Sequence, residues 1–164
     1  MDAVRTIEHQ RRVIDGERKP RRFARVGPTK QSVQDWMSSP VVVIPPEITV
    51  DHALTLMRRR GIHSLVVDLS TLNGKSYGII TTTDIRDKIV AQDRDPARVR
   101  VAEIMTSPVT CAGPDWTLRE AAITMQELKI HHLPVQDRRA TLIGVISATD
   151  IFTAVEEAGW NSTP

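Results

Sequence analysis

The chain has 164 residues, a formal net charge of +2, 40% hydrophobic residues and 4% aromatics. That length suits one ordinary domain or two small ones sharing a core, which Val, Ile, Leu, Ala and Met must build. A single cysteine, Cys111, excludes an intrachain disulfide, and no apolar segment is long enough for a signal peptide or a bilayer span, so a soluble cytoplasmic protein is expected.

Residues 1–32 hold nine Lys/Arg against four Asp/Glu, a local +5 that leaves the remainder at −3. Arg5 to Ile14 is predicted to form a helical turn or two, and Pro20, Gly27 and Pro28 break the chain beyond it. The stretch reads as a mobile basic arm that a partner or the folded body could order. Val33 to Met37 then reads as a short helical turn. Pro40 opens an extended run, Val41 to Ile44, too short for a stable helix and rich in β-branched residues. Thr49 caps a helix to about Arg60, with Val50, Ala53, Leu54 and Met57 on one face and Gly61 to end it. Leu65 to Asp68 reads as a strand, Asn73-Gly74 as a hairpin signal, and Tyr77 to Thr81 as the partner strand. A helix over about Thr83 to Ala91 comes next, and Gln92 to Arg100 links onward with Pro96 as a breaker.

The second half repeats this order. Shifted by 68, Val33 to Val67 falls on Val101 to Val135 with 13 of 35 positions identical, among them Met37/Met105, Pro40/Pro108, Thr49/Thr117, Met57/Met125, His63/His131 and Leu65/Leu133. Shifted by 66, Gly78 to Ile85 falls on Gly144 to Ile151. The second copy therefore has an opening strand at Val109-Thr110-Cys111. Its helix starts on a Thr117/Glu120 capping box, with Leu118, Ala121, Ala122, Met125 and Leu128 as the apolar face. The tail after Val155 is polar and expected to fray. The domain plan is an arm at 1–32, repeats at 33–95 and 96–156, and a tail at 157–164, with any pocket appearing twice.

The order β-α-β-β-α, twice, resembles the cystathionine-β-synthase (CBS) domain pair, or Bateman module, over roughly residues 33–155. Six motifs in matching order carry the resemblance: Met37-x-x-Pro40 and Met105-x-x-Pro108, Ile62-His63-x-Leu65 and Ile130-His131-His132-Leu133, and Gly78-Ile-Ile-Thr81-x-x-Asp84 and Gly144-Val-Ile-Ser147-x-x-Asp150. The resemblance implies an α/β fold of two repeats packed sheet to sheet about a pseudo-two-fold axis. Two clefts that often bind adenosine compounds go with it. So does pairing into flat homodimers through the helices at 49–60 and 117–128.

Thr81-x-x-Asp84 and Ser147-x-x-Asp150 each stand where a strand gives way to a helix, whose N-terminus offers N–H groups and partial positive charge. Two readings apply. Ser, Thr and Asp cap helices in any protein. In the resembling family the Asp carboxylate accepts ribose hydroxyls and the Thr or Ser hydroxyl meets a phosphate, which gives Asp84 and Asp150 the ribose and Thr81 and Ser147 the phosphate. His131 and His132 join the phosphate set by the same resemblance; nucleotide-binding members carry His-Arg there, so His132 departs from the pattern, and His63 reads as a rim residue. Val42, Val43, Thr110 and Cys111 would wall the adenine, or simply pack the core. Cys111 has no evident base or second thiol and reads as a small buried residue. No metal-ligand spacing and no catalytic, Walker or dinucleotide fingerprint is present, so a non-enzyme is expected.

The implied function is a regulatory sensor that binds AMP, ADP or ATP, or another adenosine compound, and signals to an effector protein by conformational change. The alternatives are a ligand-free dimerisation scaffold, and a nucleic-acid-associated regulator working through the basic arm. No membrane partner is expected.

Overall fold

The computed structural model describes residues 4–7, 27–70 and 76–158. They fall into two compact units, one drawn from 1–7 and 41–109, the other from 8–40 and 110–164. The Asn73-Gly74 hairpin signal lies outside the described residues.

The first unit is a four-stranded sheet in the order β1 (Arg5–Ile7), β2 (Val41–Ile44), β3 (Ser64–Asp68), β4 (Tyr77–Thr81). β2 and β3 are parallel, as a crossover through α2 (Val50–Arg60) requires, whereas β1–β2 and β3–β4 are antiparallel. Val41–Ile44 is buried along its whole length, which explains an unbroken β-branched run where an alternating pattern would signal a half-exposed strand. Thr49 caps α2 by accepting from the His52 N–H at 3.3 Å, and Gly61, with φ of 62°, ends it. Beyond β4, the α-helical turn α3 (Thr82–Ile85) runs on as a π-helical turn over Arg86–Val90. Ile44, Val50, Ala53, Leu65, Val67, Ile80 and Ile89 form the core.

The second unit has the antiparallel pair β5 (His132–Gln136) and β6 (Leu142–Ser147) with helices α5 (Leu118–Leu128) and α6 (Ala148–Ala158). Thr117 and Glu120 cap α5 reciprocally. Leu118, Ala121, Met125, Leu133, Val135, Ile146 and Ala154 lie in its core.

Each unit also holds a one-turn helix that the sequence repeat assigns to the opposite copy. In the first it is α4 (Val101–Ile104), where Val101 N–H donates to the Ile48 carbonyl at 2.9 Å and Ala102 N–H to that of Pro46 at 2.9 Å. In the second it is α1 (Val33–Trp36), where Val33 N–H donates to the Trp116 carbonyl at 2.7 Å and Gln34 N–H to that of Pro114 at 3.0 Å. The methionine after each turn explains a glycine. A Cβ on Gly78 would stand 3.0 Å from Met105 Sδ and 3.1 Å from the Thr106 carbonyl oxygen; one on Gly144 would stand 2.5 Å from Met37 Sδ and 3.1 Å from that of Ser38. The same backbone approach is sealed by hydrogen bonds, Ile79 with Thr106 and Val145 with Ser38.

Four expectations are corrected. Arg5–Ile7 is a strand and not helical: three residues beside the buried Val41–Val43 edge gain backbone hydrogen bonds that a solvated helical turn of that length could not match, and Arg5 adds an ion pair with Asp68. Val109-Thr110-Cys111 is not a strand. Thr110 is exposed, and the pairing reduces to Ala112 bridging Val135, without the uniform burial of Val41–Ile44. Leu128 is 48% exposed and off the buried face of α5. The last helix runs to Ala158, past Val155.

Gly144→Val is expected to lower the unfolding free energy by about 1–3 kcal/mol, because the Ser38 carbonyl cannot swing aside as the Met37 side chain can. Urea unfolding of the variant measures this, and an unchanged midpoint would contradict it.

Candidate functional site

The two strand-to-helix turns close in the same way. At the first, Asp84 Oδ2 accepts from the Thr81 N–H at 2.9 Å and lies 3.1 Å from Thr81 Oγ1, which in turn accepts from the Asp84 N–H at 3.4 Å. At the second, Asp150 Oδ2 accepts from the Ser147 N–H at 2.7 Å and lies 2.8 Å from Ser147 Oγ, and the Asp150 N–H reaches that Oγ at 3.2 Å. Both are reciprocal caps, and one oxygen of each carboxylate is engaged in holding its own turn.

The histidines are tied to these turns by their backbones. The Thr82 N–H donates to the His63 carbonyl at 3.1 Å, and the Ala148 N–H to the His131 carbonyl at 2.9 Å. The His131 backbone thus lies beside the Ser147 turn, and the first N–H of each following helix already has an acceptor. The remaining attraction for an anion comes from the helix dipole, which acts within the first turn of each helix. The His131 side chain is exposed and that of His132 half-buried.

The other oxygens differ. Asp84 Oδ1 accepts from Lys88 Nζ at 2.8 Å, and the same ammonium donates to the Ile104 carbonyl at 2.6 Å. Asp150 Oδ1 has no hydrogen-bond or ion-pair partner among the described residues. The Lys88 contact was missed in the sequence, although an Asp and a Lys four apart on one helical face are a legible signal.

Val42 and Val43 are buried at 6% and 1% exposure, and Val42 belongs to the core cluster, so both act first as packing. Thr110 is exposed and Cys111 half-buried. Burial pushes the Cys111 thiol up to about 11, the opposite of what a nucleophile needs. In the second unit a groove of about 350 Å³ runs between α5 and α6, lined by Met125, Gln126, Lys129, His131, Ala148 and Ile151. Ser147 and Asp150 do not line it. Among the described residues no cluster of three or more His, Cys, Asp or Glu could hold a metal, and no helix is long and apolar enough to cross a membrane.

This duplicated α/β architecture, with a Ser/Thr-x-x-Asp turn after each hairpin, defines a class of tandem regulatory modules. The CBS-domain family model matches residues 33–91 and 101–157, and the chain belongs to that family. It is 29% identical over 120 residues to the CBS domain-containing protein YhcV of Bacillus subtilis, covering 73% of this chain and 82% of that one. It spans 54% or less of the length of several other relatives, enzymes among them. Among solved structures, it resembles the hexameric CBS-CP12 protein from bloom-forming cyanobacteria with a TM-score of 0.71 and 34% identity, covering 74% of this chain and 69% of that one. The CBS domain pair of protein MJ0100, solved with 5′-methylthioadenosine and S-adenosyl-L-methionine, matches with a TM-score of 0.65 and 26% identity over 77% of this chain and 96% of that one.

With the Cys111 thiol at about 11, about one in a thousand is ionised at pH 8. Iodoacetamide is therefore expected to label the folded chain at least tenfold more slowly at that pH than the urea-unfolded chain, with a rate that climbs steeply toward pH 11. Equal rates in the two states would contradict the buried thiol.

Proposed function

We propose that this CBS module is a sensor of an adenosine-containing ligand, AMP, ADP or ATP first, that signals to an effector protein through a change in conformation. The observation that carries the reading is the Ser147 turn. One oxygen of Asp150 is fixed by the cap, and the other is aimed by that bond yet unpartnered among the described residues. A carboxylate so held accepts hydroxyl donors without first being ordered, which suits a ribose diol. The adenosine ligands of the MJ0100 domain pair support the same chemistry.

In this reading Asp150 takes ribose hydroxyls, Ser147, His131 and His132 face phosphate, and Thr110 and Cys111 offer a more accessible wall for the base than the buried Val42 and Val43. Asp84 and Thr81 are the corresponding pair in the first copy. His132 in place of Arg makes the phosphate contact weaker than a permanently charged, forked guanidinium would. The ligand acts only through its differential affinity for two states of the module. A homodimer in the cytoplasm, without catalysis of its own, completes the proposal.

A scaffold that binds no ligand is the second reading, favoured by the exposed apolar side chains of Phe152 at 66%, Val90 at 70% and Leu128 at 48%. The arm that a nucleic-acid reading would need lies mostly outside the described residues.

The two readings part in a thermal-shift titration. A sensor's melting temperature rises with AMP, ADP, ATP or S-adenosylmethionine according to mass action, and a scaffold's stays flat. Asp150→Asn keeps an acceptor oxygen for the Ser147 N–H but removes the charge. It is expected to weaken binding by about 10- to 100-fold, the equivalent of about 1.5–3 kcal/mol for a hydrogen bond to a charged group. Equal affinity of variant and wild type would overturn the assignment of Asp150.

A further inference from the structure

The two turns are copies in sequence but not in chemistry. We infer that they are unequal receptors: Lys88 occupies the first from within, and the chain takes one ligand, at Ser147 and Asp150. This inference rests on the adenosine-binding proposal and deepens it.

The two carboxylates differ in which of their oxygens already have partners. At Asp84 the Thr81 cap engages Oδ2 and Lys88 Nζ engages Oδ1 at 2.8 Å. The ammonium is held in place a second time by the Ile104 carbonyl at 2.6 Å, so it is not a side chain swinging in water. The pair is drawn in from solvent, with the Asp84 side chain 11% exposed and that of Lys88 39%. A ribose hydroxyl approaching Asp84 would have to replace a hydrogen-bonded ion pair with a bond from an uncharged donor, and leave the ammonium to find new acceptors. Ligand and lysine compete for one oxygen, and the lysine is tethered four residues away.

In the second copy the corresponding residues make such a cation impossible. The offset of 66 puts Ala154 where Lys88 stands, and the offset of 68 puts Trp36 where Ile104 stands. Ala154 is 0% exposed, Trp36 is 8% exposed, and both belong to one buried apolar cluster. A lysine at 154 would have to leave its charge in that cluster, and alanine is what the packed position accepts. No ion pair to Asp150 exists among the described residues. The duplicated carboxylate is thus internally neutralised in one copy and available in the other. Lys88 is a specificity-determining residue: it sets how many ligands bind, and where.

Equilibrium dialysis of the full chain against radiolabelled AMP and ATP tests this. Wild type is expected to bind one nucleotide per chain and Asp150→Asn to lose it. Lys88→Ala is expected to bind a second, weaker nucleotide, and the double variant Lys88→Ala/Asp84→Asn to return to one. Lys88→Met keeps the aliphatic stem and is expected to gain the second site as well, which guards against a folding defect in the alanine variant. Two equal sites in wild type, or one site in both Lys88 variants with unchanged melting temperatures, would overturn the inference and leave the sensor reading intact. No binding to wild type or to any variant would overturn both.

Discussion

The carboxylate three residues beyond the end of each hairpin holds its own turn shut. Asp84 and Asp150 each receive the N–H of the residue that ends the strand, while the Thr81 or Ser147 hydroxyl receives the N–H of the Asp. This reciprocal cap fixes where the strand stops, how the helix leaves it, and which way the remaining carboxylate oxygen faces. Capping and ligand binding compete as readings of the sequence; the structure shows the cap, and in the proposed site the same carboxylate of Asp150 would serve both. The cap consumes one oxygen and orients the other, and the site depends on what that other oxygen then meets.

The frame around the turns is set by close packing that tolerates little change. Gly78 and Gly144 are tolerated inside their strands because a methionine sulfur and a main-chain carbonyl come up against them. The short helices α1 and α4 make matching backbone hydrogen bonds, each with the loop ahead of the long helix in its unit. A compact unit therefore takes its opening turn from the neighbouring sequence copy, and the register of repeats in the sequence is not the register of packing. Neither repeat, cut from the chain at the boundaries of its sequence copy, would carry all the residues of one unit.

Much of this was legible in the residues. The offsets of 68 and 66 located both hairpins and both turns, and Val41–Ile44, Thr49 and Thr117 act as their types suggest. What could not be read depends on partners remote in sequence. Arg-Thr-Ile at 5–7 is too short a run to signal a strand by itself; it is extended because Val41–Val43 offers an edge and Asp68 an anion. Val109-Thr110-Cys111 has the composition of a strand yet lacks the burial that makes Val41–Ile44 one. Lys88 was written in the spacing from Asp84, but its hold on the Ile104 carbonyl, sixteen residues away, is a product of the fold. The repeat invites the assumption of two equal sites, and side chains outside the matched motifs break that equality.

The most direct measurement is an amide ¹H–¹⁵N spectrum of the full chain titrated with AMP, because it reports each turn separately. The account predicts shifts concentrated on Ser147, Ala148, Thr149 and Asp150, with Thr81 to Asp84 nearly still. Equal movement at both turns would contradict the asymmetry, and no movement at either would contradict the sensor itself.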